Sequence, residues 1–248
     1  MNSGGIFSSK AQLTEIGRVL SAYMRLPLSS DTIPGAIMEA LLAHVRQGVV
    51  LGKYDFVDVI KPESRCGWQV KSTKASTPVT WKRAKIPMRQ KLISASRKSK
   101  GAVQALGDAI IEFCNNHALA SLNSHELEQI GYCRLIVHAN GDVTYFERLL
   151  VTREKPQLFA PSDFVWKWSE PKETTKKEQL QALHGIHKPT KQKWFAWHGL
   201  GENQLHFSGE SNWWPKPGDI HAVSFKFPAA DERIGFEKFM ELLSGLES

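Results

Sequence analysis

The stretch Leu51–Thr73, LGKYDFVDVIKPESRCGWQVKST, reads as a β-hairpin and restricts the chain to folds with a sheet near their centre. An apolar strand, Tyr54–Ile60, leads through a Lys-Pro-Glu-Ser turn into a second strand, Trp68–Thr73. Polar residues stand where a strand core would prefer apolar ones: Asp55 opens the first strand, and Gln69 and Lys71 lie two apart on the second. Side chains alternate along a strand, so Gln69 and Lys71 share one face and Val70 takes the other. Asp55 placed opposite them gathers a carboxylate, an amide oxygen and an ammonium. Such a trio suits a divalent cation, which takes hard oxygen ligands, and a lysine that orients the water acidified by the cation. Asp58 competes for the same role, since it points to the opposite face of a regular strand and only one of the two can join Gln69 and Lys71.

The pattern Asp55, thirteen residues, Gln69-Val70-Lys71 resembles the PD-(D/E)xK nuclease superfamily and, within it, the type II restriction endonucleases. Tyr54 stands where that family often has proline, and Gln69 where it has an acidic residue. The resemblance covers about residues 34–151. It implies an α/β (α+β) fold with a restriction-endonuclease-like core: a central mixed β-sheet flanked by helices, followed by a mixed C-terminal elaboration. It also implies Mg²⁺-dependent cleavage of double-stranded DNA at a specific sequence. Asp55 and Gln69 would be the metal ligands, Lys71 would position the nucleophile, and Glu39 on the preceding helix would be a further catalytic carboxylate. A homodimer matches a symmetric DNA site. Two rival expectations remain open, a repair or structure-specific nuclease of the same superfamily and a non-catalytic DNA-binding protein that keeps the fold.

The strongest compositional feature follows the hairpin. Residues 71–100 carry ten Lys or Arg and no Asp or Glu, more charge than the +7 of the whole molecule. An acid-free basic run points to a polyanion, and the expected phosphate contacts are Lys74, Lys82, Arg83, Lys85, Arg89, Lys91, Arg97 and Lys98.

Elsewhere, helical spacing predicts helices over Ala11–Met24, over about 34–47 (capped by Asp31 or Thr32), and over Ala102–Leu122. A second hairpin, Ile130–His138 and Val143–Val151, turns at Asn140-Gly141, a type I′ signal. Residues 1–154 are therefore assigned to the N-terminal helices and nuclease core, and 155–248 to a Trp/Pro-rich elaboration, packed on the same domain, for DNA reading or dimerisation. In that part, Glu173–His184 reads as an exposed helix, Trp194–His198, Leu205–Ser208 and His221–Phe227 as strands, and Glu232–Leu246 as a closing helix. Lys188, Lys191, Gln192 and Lys193 are the candidate base readers.

Trp194, Trp197, Trp213 and Trp214 are assigned to packing rather than base stacking. His184, His187, His198 and His206 share no metal-ligand spacing, and Gly185 and Pro189 suggest a turn around the first two. Three dispersed cysteines, Cys66, Cys114 and Cys133, suggest neither a disulfide framework nor a zinc site. With no apolar signal core and no run of membrane-span length, a soluble, cytoplasmic protein without membrane association is expected.

Overall fold

The computed structural model describes residues 5–29, 32–52, 55–171 and 180–245. In chain order their elements are α1 (Lys10–Met24), α2 (Gly35–Arg46), β1 (Val49–Val50), β2 (Val59–Lys61), β3 (Cys66–Lys74), β4 (Val79–Arg83), α3 (Arg89–Ser96) and α4 (Lys100–Ser124). Then come β5 (Gln129–Val137), β6 (Asp142–Thr152), β7 (Phe164–Trp168), β8 (Leu183–His187), β9 (Lys193–Trp197), β10 (Gln204–Phe207), β11 (Ala222–Lys226) and α5 (Phe236–Ser244). Together they form a mixed α/β structure. No helix among the described residues is long and apolar enough to cross a membrane.

The chain forms two interleaved units rather than dividing once near residue 154. The first comprises Met1–Thr77, Ser121–Arg153 and Pro215–Ser248, and the second Pro78–Ala120 and Glu154–Trp214. The part assigned to a C-terminal elaboration is thus shared between them: β11 and α5 belong to the first unit.

The first unit is built on a six-stranded sheet in the order β1-β2-β3-β5-β6-β11. Only β3 and β5 pair in parallel, Gln69 beside Tyr132 and Lys71 beside Arg134; every other pairing is antiparallel. A parallel pair needs a long crossover, and here the chain supplies it through β4, α3 and α4. One face of the sheet is covered by α1 and α2. Leu13, Ile16, Leu20 and Met24 from α1 and Met38, Leu41 and Leu42 from α2 bury against Val59, Trp68, Val70, Leu135 and Tyr145. Even-numbered positions of β3 therefore face the helices, and Gln69 and Lys71 project from the other side.

Local chemistry sets the boundaries. Ser9 and Gln12 form a reciprocal cap at the start of α1. Pro34 precedes α2 without a side-chain cap, and Asp31 lies outside the described residues. After α2, Gly48 passes so close to β2 that a Cβ there would sit 2.6 Å from the Ile60 carbonyl oxygen. The β5–β6 turn differs from the type I′ expectation. The His138 N–H donates to the Asp142 carbonyl across a three-residue loop, and Gly141 alone takes positive φ there, at +81°. This is the longer hairpin loop that ends in a left-handed glycine.

A buried ion pair ties the N-terminal segment to the sheet. Arg46 Nη2 lies 2.8 Å from Glu147 Oε2, and both residues are almost fully buried. The same carboxylate accepts from the Ser8 N–H, the Ser8 hydroxyl and the Tyr145 hydroxyl, while Arg46 donates to the carbonyls of Gly5 and Ile6. These bonds satisfy most of the polar atoms that folding removes from water, the condition under which a buried pair is tolerated.

The second unit carries an antiparallel sheet in the order β4-β10-β9-β8-β7. Trp81, Phe159, Phe195, Phe207 and Trp213 pack edge-on or stacked along one of its faces, and Trp197 is fully buried. The packing assignment holds for Trp197 and Trp213. Three expectations fail in this region. Leu183–His187 is a strand, so the predicted helix cannot reach His184, and residues 172–179 lie outside the described residues. His184 and His187 accordingly sit on an extended strand, not a turn. The closing helix is shorter than expected, at Phe236–Ser244, and Leu246 is outside the described residues.

Candidate active site

The first strand of the motif begins late. Regular pairing starts at Val59, opposite Trp68, and Asp55–Asp58 lie outside any strand; Tyr54 is outside the described residues. The alternation that sets Asp55 and Asp58 on opposite faces of a strand therefore does not operate here. Asp58 immediately precedes the Val59–Trp68 pair, next to the part of β3 that carries Val70 and Lys71.

The contacts agree. Asp58 Oδ2 accepts from the Val70 N–H at 2.7 Å and lies 3.7 Å from Lys71 Nζ. Its own N–H donates to the Trp68 carbonyl. Both side chains keep roughly a quarter of their surface open, 26% for Asp58 and 21% for Lys71. A substrate can therefore approach a pair that is already positioned.

Glu39 on α2 joins this group. Burial holds its carboxyl above the ordinary carboxylate range, the Asp58 charge pushes it further up, and Lys71 pulls it back. The Glu39 carboxyl thus responds to the charges of both Asp58 and Lys71. Gln69, two positions before Lys71 on β3, has 1% of its surface exposed. Its Nε2 donates to the Phe56 carbonyl at 3.3 Å, while Oε1 is buried without a hydrogen-bond partner. An unpaired buried acceptor costs about 1–3 kcal/mol, so this oxygen is suited to a cation or a donor.

Asp55 is engaged elsewhere. The Ser121 hydroxyl and the Phe56 N–H both bond its Oδ1, and His125 Nε2 lies 2.9 Å from Oδ2. Burial pushes the carboxyl up, but the bonds from Ser121, His125 and Phe56 outweigh it and leave it below the ordinary range. The structure thus pairs Lys71 with Asp58, not with Asp55, and gives Asp55 the work of fastening the hairpin approach to the end of α4. Ser121 and His125 were not foreseen: they are 66 and 70 positions from Asp55, with no local signal to connect them.

The donor set can be tested against Mg²⁺. Glu39 and Asp58 raise a need for positive charge, and Gln69 Oε1 is an acceptor still to be satisfied. Mg²⁺ commonly uses one or two carboxylates and keeps several waters, so these residues fit it. No cluster of three or more His, Cys, Asp or Glu with metal-ligand geometry occurs among the described residues.

The basic run does not form one uniform surface. Lys74 ends β3 and lines a cleft of about 760 Å³ with Ser76 and His138 in the first unit. The other seven expected phosphate contacts belong to the second unit. Arg83, Lys85, Lys91, Arg97 and Lys98 are exposed. Lys82 is not: it is 6% exposed, close enough to Cys114 to temper a thiol that burial pushes up to about 12. A register shift in β10 opposite this part of β4 accompanies the burial of consecutive residues Trp81 and Lys82. Lys82 is therefore withdrawn from the expected surface contacts. Arg89 is half-buried and donates to Asn203 at 2.5 Å, and Arg97 lies 4.0 Å over the Trp168 ring. Among the proposed base readers, Lys188 donates to the Ser162 carbonyl at 2.6 Å.

Comparison of the chain with protein-family models, with curated proteins and with solved structures returned no match.

Proposed function

We propose that the chain is a Mg²⁺-dependent endonuclease of the PD-(D/E)xK type that cuts double-stranded DNA at a specific sequence, as type II restriction enzymes do. The observation that carries this reading is the Asp58 carboxylate held between the Val70 N–H and Lys71 Nζ, with Glu39 in the same field. Further support comes from the order of elements: a helix, the motif hairpin, a long crossover helix, and then β5 laid parallel to β3. That order is the one expected of a restriction-endonuclease-like core.

In this reading the Asp58 and Glu39 carboxylates and Gln69 Oε1 would hold Mg²⁺. When bound, the ion supplies a Lewis acid for the phosphoryl oxygen and a water of lowered pKa. Lys71 Nζ, 3.7 Å from Asp58, orients the attacking water and stabilises charge developing on the phosphate. The Val70 N–H fixes the Asp58 carboxylate, so the site needs little rearrangement before reaction. Lys74 and the exposed basic residues of the second unit hold the sugar–phosphate backbone. A second copy of the chain would supply the other strand's cut.

The test is cleavage of plasmid DNA with Mg²⁺ or EDTA. Discrete Mg²⁺-dependent fragments, lost in Asp58→Asn and Lys71→Ala, support the reading. A smear with the same dependence favours a structure-specific or non-specific nuclease of the superfamily. DNA that stays intact but shifts on a gel favours the non-catalytic DNA-binding protein.

A further inference from the structure

The histidines that share no metal-ligand spacing in sequence are brought together by strand register. In the five-stranded sheet of the second unit, His184 on β8 stands opposite Ala196 on β9, which stands opposite His206 on β10. These positions alternate with Leu183, Trp197 and Leu205, which are fully buried on the aromatic face. The histidine row therefore lies on the reverse face. Neighbouring strands are about 4.8 Å apart, so His184 and His206 rise as walls on either side of a floor made by the small Ala196. His198, just past the end of β9 and two residues beyond Ala196, closes one end, with its ring centroid 4.7 Å from that of His206. The result is a cleft of about 170 Å³, to which Lys193, Ser169 and Ser208 also contribute.

We propose that this cleft binds a phosphate group. Its size suits one tetrahedral oxyanion with a few waters. Its lining offers an ammonium, imidazole nitrogens and two hydroxyls, the donors that phosphate oxygens accept from. Around it the same face carries Lys167, in register with His184, and Arg83, in register with Gln204; Glu170 lines the cleft as its opposing charge. The site lies outside the residues assigned to cleavage, and its occupation does not depend on the nuclease reading.

The imidazoles respond to such a ligand. Burial, then Lys193, hold His198 below the ordinary histidine range; burial, then His198 and Lys193, do the same for His206. Both rings are therefore mainly neutral near pH 7. A bound phosphate offsets the repulsion from Lys193, so the rings take up protons from solvent as it binds. Affinity for a phosphate of fixed charge then rises as pH falls through the titration midpoints of the ligand-bound rings.

Histidine side-chain ¹H–¹⁵N spectra of the full chain test this. The protein is titrated with inorganic phosphate, then with a duplex oligonucleotide, against chloride at matched ionic strength. Phosphate is expected to move the His198 and His206 signals and raise their titration midpoints. Lys193→Gln and His206→Gln should each weaken binding by about tenfold, the loss of one charge-assisted hydrogen bond, with backbone amide spectra retained. If the duplex moves the same signals, the ligand is a phosphodiester of a nucleic-acid strand; if only free phosphate does, it is a small phosphate-bearing molecule. Signals that do not move with either ligand, or move equally with chloride, overturn the proposal.

Discussion

Asp58 and Asp55 are three residues apart and carry the same charge, yet their surroundings separate their roles. Asp58 holds Lys71 and a backbone N–H at a partly open site, whereas Asp55 is consumed by Ser121, His125 and Phe56. Lys71→Ala should therefore lower cleavage by about 10²–10³-fold, the usual cost of removing a group aimed at transition-state charge, with the melting temperature nearly unchanged. Asp55→Asn should behave oppositely. It leaves His125 and Ser121 with a weaker partner, lowering stability by about 1–3 kcal/mol in urea denaturation while cleavage of the folded fraction persists.

Glu39 gives a pH signature. Its carboxyl is raised in the folded protein, so the folded state holds that proton more tightly than the unfolded chain. The stabilisation this brings is present at low pH and is lost as pH rises through the raised value. Glu39→Gln should therefore melt higher than the parent at pH 8, with the difference vanishing below pH about 4, the unfolded carboxyl value. The same substitution should remove the acid limb of the cleavage–pH profile, since cation binding needs Glu39 deprotonated. An unchanged acid limb would assign that limb to another group.

At the level of elements, one buried charged pair joins α2 to β6 beside an otherwise apolar helix–sheet interface. Glu147→Ala leaves Arg46 buried and unpaired, and removal of one partner from such a pair costs about 3–5 kcal/mol. Denaturant unfolding should show a lower midpoint of that size, and a change below 1 kcal/mol would mean that water reaches Arg46. The helices and the two hairpins were legible in sequence because each depends on local periodicity: Leu13, Ile16 and Leu20 mark α1 by spacing alone. What failed depended on distant partners. The apolar run Tyr54–Ile60 reads as one strand, but pairing with β3 stops at Val59–Trp68 although β3 continues to Lys74, and Asp55 instead meets the end of α4. β4 was missed because its pairing partner, β10, lies more than a hundred residues further on. Lys82 looked like surface because charge predicts exposure only when the strand alternates regularly, and β4 does not. At the candidate site, the sequence places Gln69 and Lys71 two apart on one strand, as β3 has them, while the aspartate that lies beside Lys71 is not legible from spacing.

For the molecule as a whole, the positive charge is distributed over both units, with Lys74 on the first and Arg83, Lys85, Lys91, Arg97 and Lys98 exposed on the second. DNA affinity should fall linearly in a log–log plot against salt, and each phosphate contact removed should flatten the slope by about 0.9. Lys85→Ala and Lys91→Ala should each do so, whereas Lys82→Ala should leave the slope unchanged and lower stability instead, because that side chain is buried. Filter-binding or fluorescence anisotropy at several salt concentrations measures both effects.

In the proposed nuclease, Asp58 rather than Asp55 forms the reacting site with Lys71. The most direct measurement is Mg²⁺-dependent plasmid cleavage by Asp58→Asn and Asp55→Asn side by side, each first shown to be folded by circular dichroism. Loss of cleavage in Asp58→Asn by at least about 10²-fold, with discrete fragments retained in Asp55→Asn, is the result predicted. Cleavage retained in Asp58→Asn and abolished in a folded Asp55→Asn would contradict it.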